Sequence, residues 1–232
     1  MPGLTEFETI ALMLSLKVAL TSVIVCLPFG LAAAWLLARV EFVGKTFVDA
    51  LFHLPLVVPP VVVGYLMLLL LGRSGALGGW LYNSFGITIA FTWIGAAMAA
   101  GVMAFPLMVR AMRLSLEAVD RRLEAAARTL GAPPIRVYLT VTLPLMAPGI
   151  LVGSVLAFAR ALGEFGATIT FVSNIPRETQ TLPLALYSLV QTPGQEYGAM
   201  RLALISVAVA LVALLISEWS AKRIRDNGRT RE

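Results

Sequence analysis

Apolar residues run through this chain in long blocks, and polar residues gather in the gaps between them. Five blocks, at about 10 to 38, 51 to 71, 87 to 109, 145 to 172 and 202 to 219, match the roughly 20 apolar residues that a helix needs to cross a hydrocarbon core. Backbone polar groups facing lipid must be satisfied within their own segment, so the pattern predicts five membrane helices rather than isolated strands. Pro28, Pro55, Pro59 and Pro60 are expected to kink or delay the first two. The segment TLPLALYSLVQ, 181 to 191, is too short to cross; it predicts a re-entrant or interfacial helix within an outer loop at 173 to 201. Small residues recur every four positions at Gly30, Ala34 and Ala38, at Gly95 and Ala99, and at Gly153, Ala157 and Ala161, where helices can approach closely.

Composition agrees with lipid as the solvent: 59% of the 232 residues are hydrophobic and only 13% charged, which excludes ordinary soluble usage. A single cysteine, Cys26, and a single histidine, His53, leave no disulfide framework and no multi-ligand metal site within the chain, so no resident cofactor is expected. The net charge of +5 does not point to nucleic acid, because the basic residues lie between and after the apolar blocks. Thirteen of the 18 Lys and Arg residues fall in the linker with Arg39 and Lys45, the linker from Arg110 to Arg136, and the C-terminal tail. Arg73, Arg177 and Arg201 fall on the other side, which predicts an outer N-terminus and a cytoplasmic C-terminus. The first residues, MPGLTEFETI, carry Glu6 and Glu8 and lack a basic signal region, so the first helix is expected to be retained.

The stretch 110–144 is too polar to span. Leu116, Val119, Leu123, Ala127 and Leu130 recur at helical spacing, giving a charged helix one apolar face that must dock on a partner or on the bilayer surface. Gly131 followed by Pro133 and Pro134 reads as the helix stop, and Glu124 is placed to pair with Arg121 or Arg128. The fragment Gly44-Lys45-Thr46 lacks the earlier glycine of a phosphate loop, position 39 being Arg, so nucleotide chemistry is not expected on this chain. Inside the fourth block, Arg160 and Glu164 stand one turn apart, flanked by Gly163, Phe165 and Gly166. Charges at membrane depth line a path or pair with each other, and this pair admits both a translocation and an interface reading. Asp49 and His53, also one turn apart, read as a local hydrogen-bonded pair.

Glu124-Ala125-Ala126, Gly131 seven residues after the Glu, the Ala132-Pro133 turn, and Val141, Leu143 and Pro144 resemble the cytoplasmic loop of ABC importer permeases. That pattern runs Glu-Ala-Ala, three residues, Gly, nine residues, I-x-L-P, with Val141 standing here for Ile. The stretch ALGEFGATITFVSNIPRETQTLPLALYSLVQTPG, with HLPLVVPPVVVGYLMLLLL, is similar to the molybdate permeases of bacterial ABC importers over nearly the whole chain. The GEFG element is shared with sulfate/thiosulfate permeases. The resemblance implies an all-α integral membrane protein of the type I importer permease fold, in a bacterial inner membrane. It further implies a homodimer, two ATPase subunits carrying the ATP and Mg, a periplasmic oxyanion-binding protein docking on the outer loops, and molybdate carried by alternating access. Sulfate/thiosulfate or tungstate is the alternative cargo. An intramembrane enzyme built on Arg160, Glu164 or His53 has no nucleophile-base set or metal motif behind it. A stand-alone ion-coupled carrier would have no use for the spaced loop.

Overall fold

The computed structural model describes residues 4–229, with side chains described as far as residue 216. The described part is wholly helical in its regular structure. α1 (Glu6–Arg39) opens on a capping box: Thr5 Oγ1 accepts from the Glu8 N–H, and the Glu8 carboxylate accepts from the Thr5 N–H. The helix runs through Pro28 without a break. The second apolar block is different. It divides into α2 (Lys45–Val57) and α3 (Pro60–Leu71), which meet at 112°. The cause is local: Pro59 holds Val58 extended, and Pro60 supplies the first residue of a new helix, where its missing N–H costs nothing.

α4 (Ala76–Phe85), bounded by Gly75 and by Gly86 in the left-handed conformation, is a short helix that the apolar pattern did not separate from its surroundings. α5 (Trp93–Glu117) starts later than the third block because Thr92 caps it, its Oγ1 accepting from the Gly95 N–H. It also runs further, taking Arg110 and Arg113 into the helix rather than leaving them in a linker. α6 (Arg121–Thr129), α7 (Pro134–Val137), a π turn (Tyr138–Thr142) and α8 (Leu143–Leu145) form the excursion before α9 (Ala147–Leu162). The fourth block is therefore not one helix either: α9 ends at Leu162 and α10 (Gly166–Val172) begins after a three-residue break. α11 (Leu182–Val190) is the expected short helix, and α12 (Glu196–Arg229) closes the described chain. The side chains of the basic tail residues Lys222, Arg223, Arg225 and Arg229 lie outside the described residues, as does Arg231 altogether. By length and apolarity α1, α5 and the 196–216 part of α12 can each cross a membrane, and the two bent pairs, α2 with α3 and 134–145 with α9, bring the count to five.

α1, α5, α9 and α10 enclose the main core, made largely of alanine and methionine. Lipid offers no hydrophobic drive for helices to associate, so close approach and polar ties must do it. The small-residue rows at 30, 34 and 38, at 95 and 99, and at 153, 157 and 161 are all buried, as expected of packing faces. A Cβ on Gly149 would stand 2.1 Å from Ser115 Cβ, and one on Gly153 3.0 Å from the Met108 carbonyl, so α9 lies almost directly on the α5 backbone. Ser22 Oγ donates at 2.7 Å within reach of both the Val18 carbonyl of its own helix and the Ala97 carbonyl of α5.

The two ends of the bundle separate the charges. At one end Arg39 meets Glu124 on α6, and Arg113 meets Asp49 on α2. At the other, Arg177 pairs with Glu6, Arg201 with Glu8, and the Leu182 N–H donates to Ser15 Oγ at 2.6 Å. The groups assigned to opposite sides of the membrane from charge counting thus occur at opposite ends of the fold.

Candidate functional site: an exposed helical loop and two broken spans

The excursion between α5 and α9 is built around α6. Asp120 caps it, its carboxylate accepting from the Arg122 N–H at 2.9 Å. The apolar periodicity from Leu116 to Leu130 does not belong to one helix: Leu116 ends in α5 and Val119 in the turn, both buried, whereas Leu123 and Leu130 sit in and after α6, exposed by 49% and 88%. Ala125 and Ala126 are also open, and Ile135, at 76% exposure, extends the same uncovered apolar surface beyond the turn. Gly131 makes the turn with φ of +84°, its N–H donating to the Arg128 carbonyl, and Ala132 N–H donates to the Ala127 carbonyl. Pro133 is extended and leads into α7; the π turn then brings the chain to Leu143 and Pro144.

Glu124 does not pair with Arg121 or Arg128 as its helical spacing suggested. Its Oε1 accepts from Arg39 Nη2 at 2.9 Å and from Thr142 Oγ1 at 2.9 Å, while Arg121 Nη2 reaches the Ala38 carbonyl at 3.3 Å. The register against the importer pattern differs as well. Four residues, Ala127, Arg128, Thr129 and Leu130, separate Ala126 from Gly131, one more than in the importer pattern, so counting back from Gly131 puts the paired alanines at Ala126 and Ala127. Glu124 stands one place early, about 100° round the helix from Ala125, and faces the bundle while Ala125 is exposed. Arg39 was absent from the sequence-derived site because its partner is 85 residues away; the available signal was a basic residue closing the first apolar block.

The second candidate region lies where the break between α2 and α3 meets the break between α9 and α10. Arg160, near the end of α9, pairs with Glu164 in the break, Nη1 to Oε2 at 2.5 Å. The Glu164 side chain is 1% exposed and the Arg160 side chain 28%. Glu164 Oε1 also accepts from the Ala167 N–H at 2.8 Å, so one carboxylate caps α10 and neutralises the arginine. Phe165 turns outward from the break onto Tyr187 of α11, ring centroids 5.1 Å apart. A Cβ on Gly166 would stand 2.7 Å from Pro60 Cβ, and one on Gly64 2.5 Å from the Ala167 carbonyl. The Pro59–Pro60 break and the Gly163–Phe165 break are thus in contact, backbone against backbone. Discontinuous helices that expose backbone ends at membrane depth are the form transport sites take in other membrane proteins.

Asp49 and His53 form the expected local contact, His53 Nδ1 lying 3.1 Å from Asp49 Oδ1 and 2.8 Å from its carbonyl. Sequence reasoning missed the third member: Arg113 Nη1 donates to Asp49 Oδ2 at 2.9 Å and its Nε to Glu117 Oε1 at 2.8 Å, fastening α2 to the end of α5. Of the three arginines that charge counting assigns to the outer side, Arg177 and Arg201 hold Glu6 and Glu8, and Arg73 lies over the Tyr82 ring. Among the described residues no group of His, Cys, Asp and Glu is placed to hold a metal ion.

Comparison with known proteins follows the same lines. The chain is 62% identical over 223 residues to the molybdenum transport system permease protein ModB of Escherichia coli K12, covering 96% of this chain and 97% of that one. It is 56% identical to the ModB of Haemophilus influenzae, over 94% and 95% of the two chains. A sulfate transport system permease protein, CysW of Synechocystis, is 37% identical over 90% of this chain and 76% of its own. Among solved structures, a bacterial ABC transporter involved in the import of the acidic polysaccharide alginate superimposes with a TM-score of 0.76 at 19% identity, over 95% of this chain and 81% of that one, a likeness of fold. Residues 26–226 match the family model described as binding-protein-dependent transport system inner membrane component, and the chain belongs to that family.

Proposed function

We propose that this chain is the membrane-spanning subunit of an ATP-driven importer that carries molybdate inward by alternating access. The observation that carries the reading is the 62% identity to a molybdenum transport permease along essentially the full length of both chains. In this reading two copies form the channel, two ATPase subunits supply ATP and Mg, and a periplasmic binding protein delivers the anion. The loop around α6 is the ATPase docking surface. Ala125, Ala126, Leu123 and Leu130 offer an uncovered apolar face, Gly131, Ala132 and Pro133 set its bend, and Leu143 and Pro144 return the chain to the membrane. Its partner face supplies what the loop lacks within this chain.

The path runs past the contacting breaks. Among the described residues Arg160 is the one charged side chain there with appreciable exposure, and Glu164 cancels much of its field, so a dianion meets weak attraction rather than a trap. Such a path suits release more than retention, which leaves selection to the binding protein. The N-terminus outside and C-terminus in the cytoplasm follow from the charge distribution.

The test is uptake by proteoliposomes holding this subunit, the ATPase and an anion-loaded binding protein. Molybdate import that needs ATP and survives an ionophore supports the reading; import by this chain without a nucleotide-hydrolysing partner would remove it. Sulfate is the second reading, favoured by the shared GEFG element, and sulfate import at equal binding-protein loading would install it.

A further inference from the structure

Three segments converge on one carboxylate at the α6 end of the bundle. Arg39 closes α1, Glu124 lies on α6, and Thr142 ends the π turn; Arg39 Nη2 and Thr142 Oγ1 both donate to Glu124 Oε1 at 2.9 Å. The Arg39 and Glu124 side chains are 10% and 15% exposed, and Arg39 Nε is buried without an acceptor. Arg39 Nη2 also reaches the Val119 carbonyl at 3.5 Å, and Arg121 meets the Ala38 carbonyl at the negative end of α1. Charge-assisted hydrogen bonds of this kind are about twice as strong as neutral ones.

We propose that Arg39, Glu124 and Thr142 form a latch that makes α1 the rod carrying displacement of the α6 loop to the opposite end of the protein. The proposal rests on the importer reading above and adds positioning residues to it. The covalent routes out of α6 are soft. On one side the chain leaves through the non-helical turn at 118–120, and on the other through the left-handed Gly131 and a π turn, which departs from regular α hydrogen bonding. The latch is the stiff route. It grips the end of an unbroken helix of 34 residues, about 51 Å long. At its far end α1 holds the outer elements: Ser15 accepts from the first N–H of α11, Glu8 pairs with Arg201 of α12, and Glu6 pairs with Arg177. A push on the uncovered face of α6 therefore reaches α11 and the start of α12 through a single rigid element. The same rod works in reverse, so a protein bound at the outer end alters how the α6 loop sits on its motor.

The experiment uses the complete reconstituted transporter and reads the ratio of ATP hydrolysis with and without anion-loaded binding protein, together with anions imported per ATP. Arg39→Ala and Glu124→Gln are each expected to lower that stimulation ratio about tenfold, within the range of ordinary allosteric couplings. The charge-swapped pair R39E/E124R is expected to recover it, and Lys45→Ala, at the neighbouring surface pair with Glu41, to leave it unchanged. Where a single variant fails to assemble, Arg39→Cys with Glu124→Cys on a Cys26→Ala background gives the second measurement. Joining those two thiols with a short bifunctional reagent is expected to raise the ratio in the same preparation. Working import with an unchanged ratio in both single variants, or no recovery by either the swap or the crosslink, would overturn the latch alone. Absence of ATP-driven import by the unsubstituted assembly would overturn the importer reading and this inference with it.

Discussion

Gly131 shows how much can rest on one backbone angle. Nothing lies within 4 Å of where its Cβ would be, so room is not what demands glycine; the φ of +84° is. Alanine there costs about 1 to 2 kcal/mol of strain, whereas proline, fixed near −65° and lacking the N–H that donates to Arg128, cannot make the turn at all. Gly131→Ala is expected to keep the ATPase bound on co-purification with reduced uptake, and Gly131→Pro to lose both while still inserting into the membrane. Normal uptake by Gly131→Pro would remove the loop from the coupling path. The Arg160–Glu164 pair makes a different demand. Removing Arg160 leaves a carboxylate of 1% exposure without its counter-charge, a loss of about 3 kcal/mol or more. Detergent-titrated unfolding of Arg160→Ala should show that loss, and Arg160→Met with Glu164→Gln should recover most of it without recovering import. A double variant that imports normally would reduce the pair to a structural tie.

Among the elements, α1 and α5 share a buried polar tie in the Ser22 hydroxyl. Ser22→Ala removes the hydrogen bond to the Ala97 carbonyl without adding bulk and is expected to cost about 1 kcal/mol in bilayer or bicelle unfolding, which an unchanged stability would contradict. The apolar blocks located the spans that are single helices, because in lipid the length of an apolar run is itself the structural constraint. They did not resolve the breaks. At Val58–Pro59 and at Gly163–Phe165 no run of polar residues announces the break, and only Pro59, Pro60, Gly163 and Gly166 mark the places. The loop misled in the opposite way. Its periodicity continues across the turn at 118–120, although Leu116 and Val119 are buried in the bundle while Leu123 and Leu130 are exposed. Arg39 and Arg113 escaped notice because helical spacing offers Glu124 and Asp49 nearer candidates than residues 85 and 64 positions away.

At the scale of the whole molecule, the charged groups divide between two ends some length of α1 apart, and the sidedness reading can be tested directly. On a Cys26→Ala background, a cysteine at Leu130 is expected to react with an impermeant thiol reagent only after the membrane is opened, and a cysteine at Tyr197, 75% exposed at the other end, before. The reverse pattern would invert the topology and place the ATPase surface on the wrong side. The crossing of α3 with α10 shows how closely two half-helices of this bundle pack. Side chains that interlock resist sliding, as ridges do in grooves; at Gly64 and Ala167 there is almost nothing to interlock. The two half-helices meet like smooth bars laid across each other, held close by their lack of bulk, so that a single methyl group added at Gly64 would have to wedge them apart.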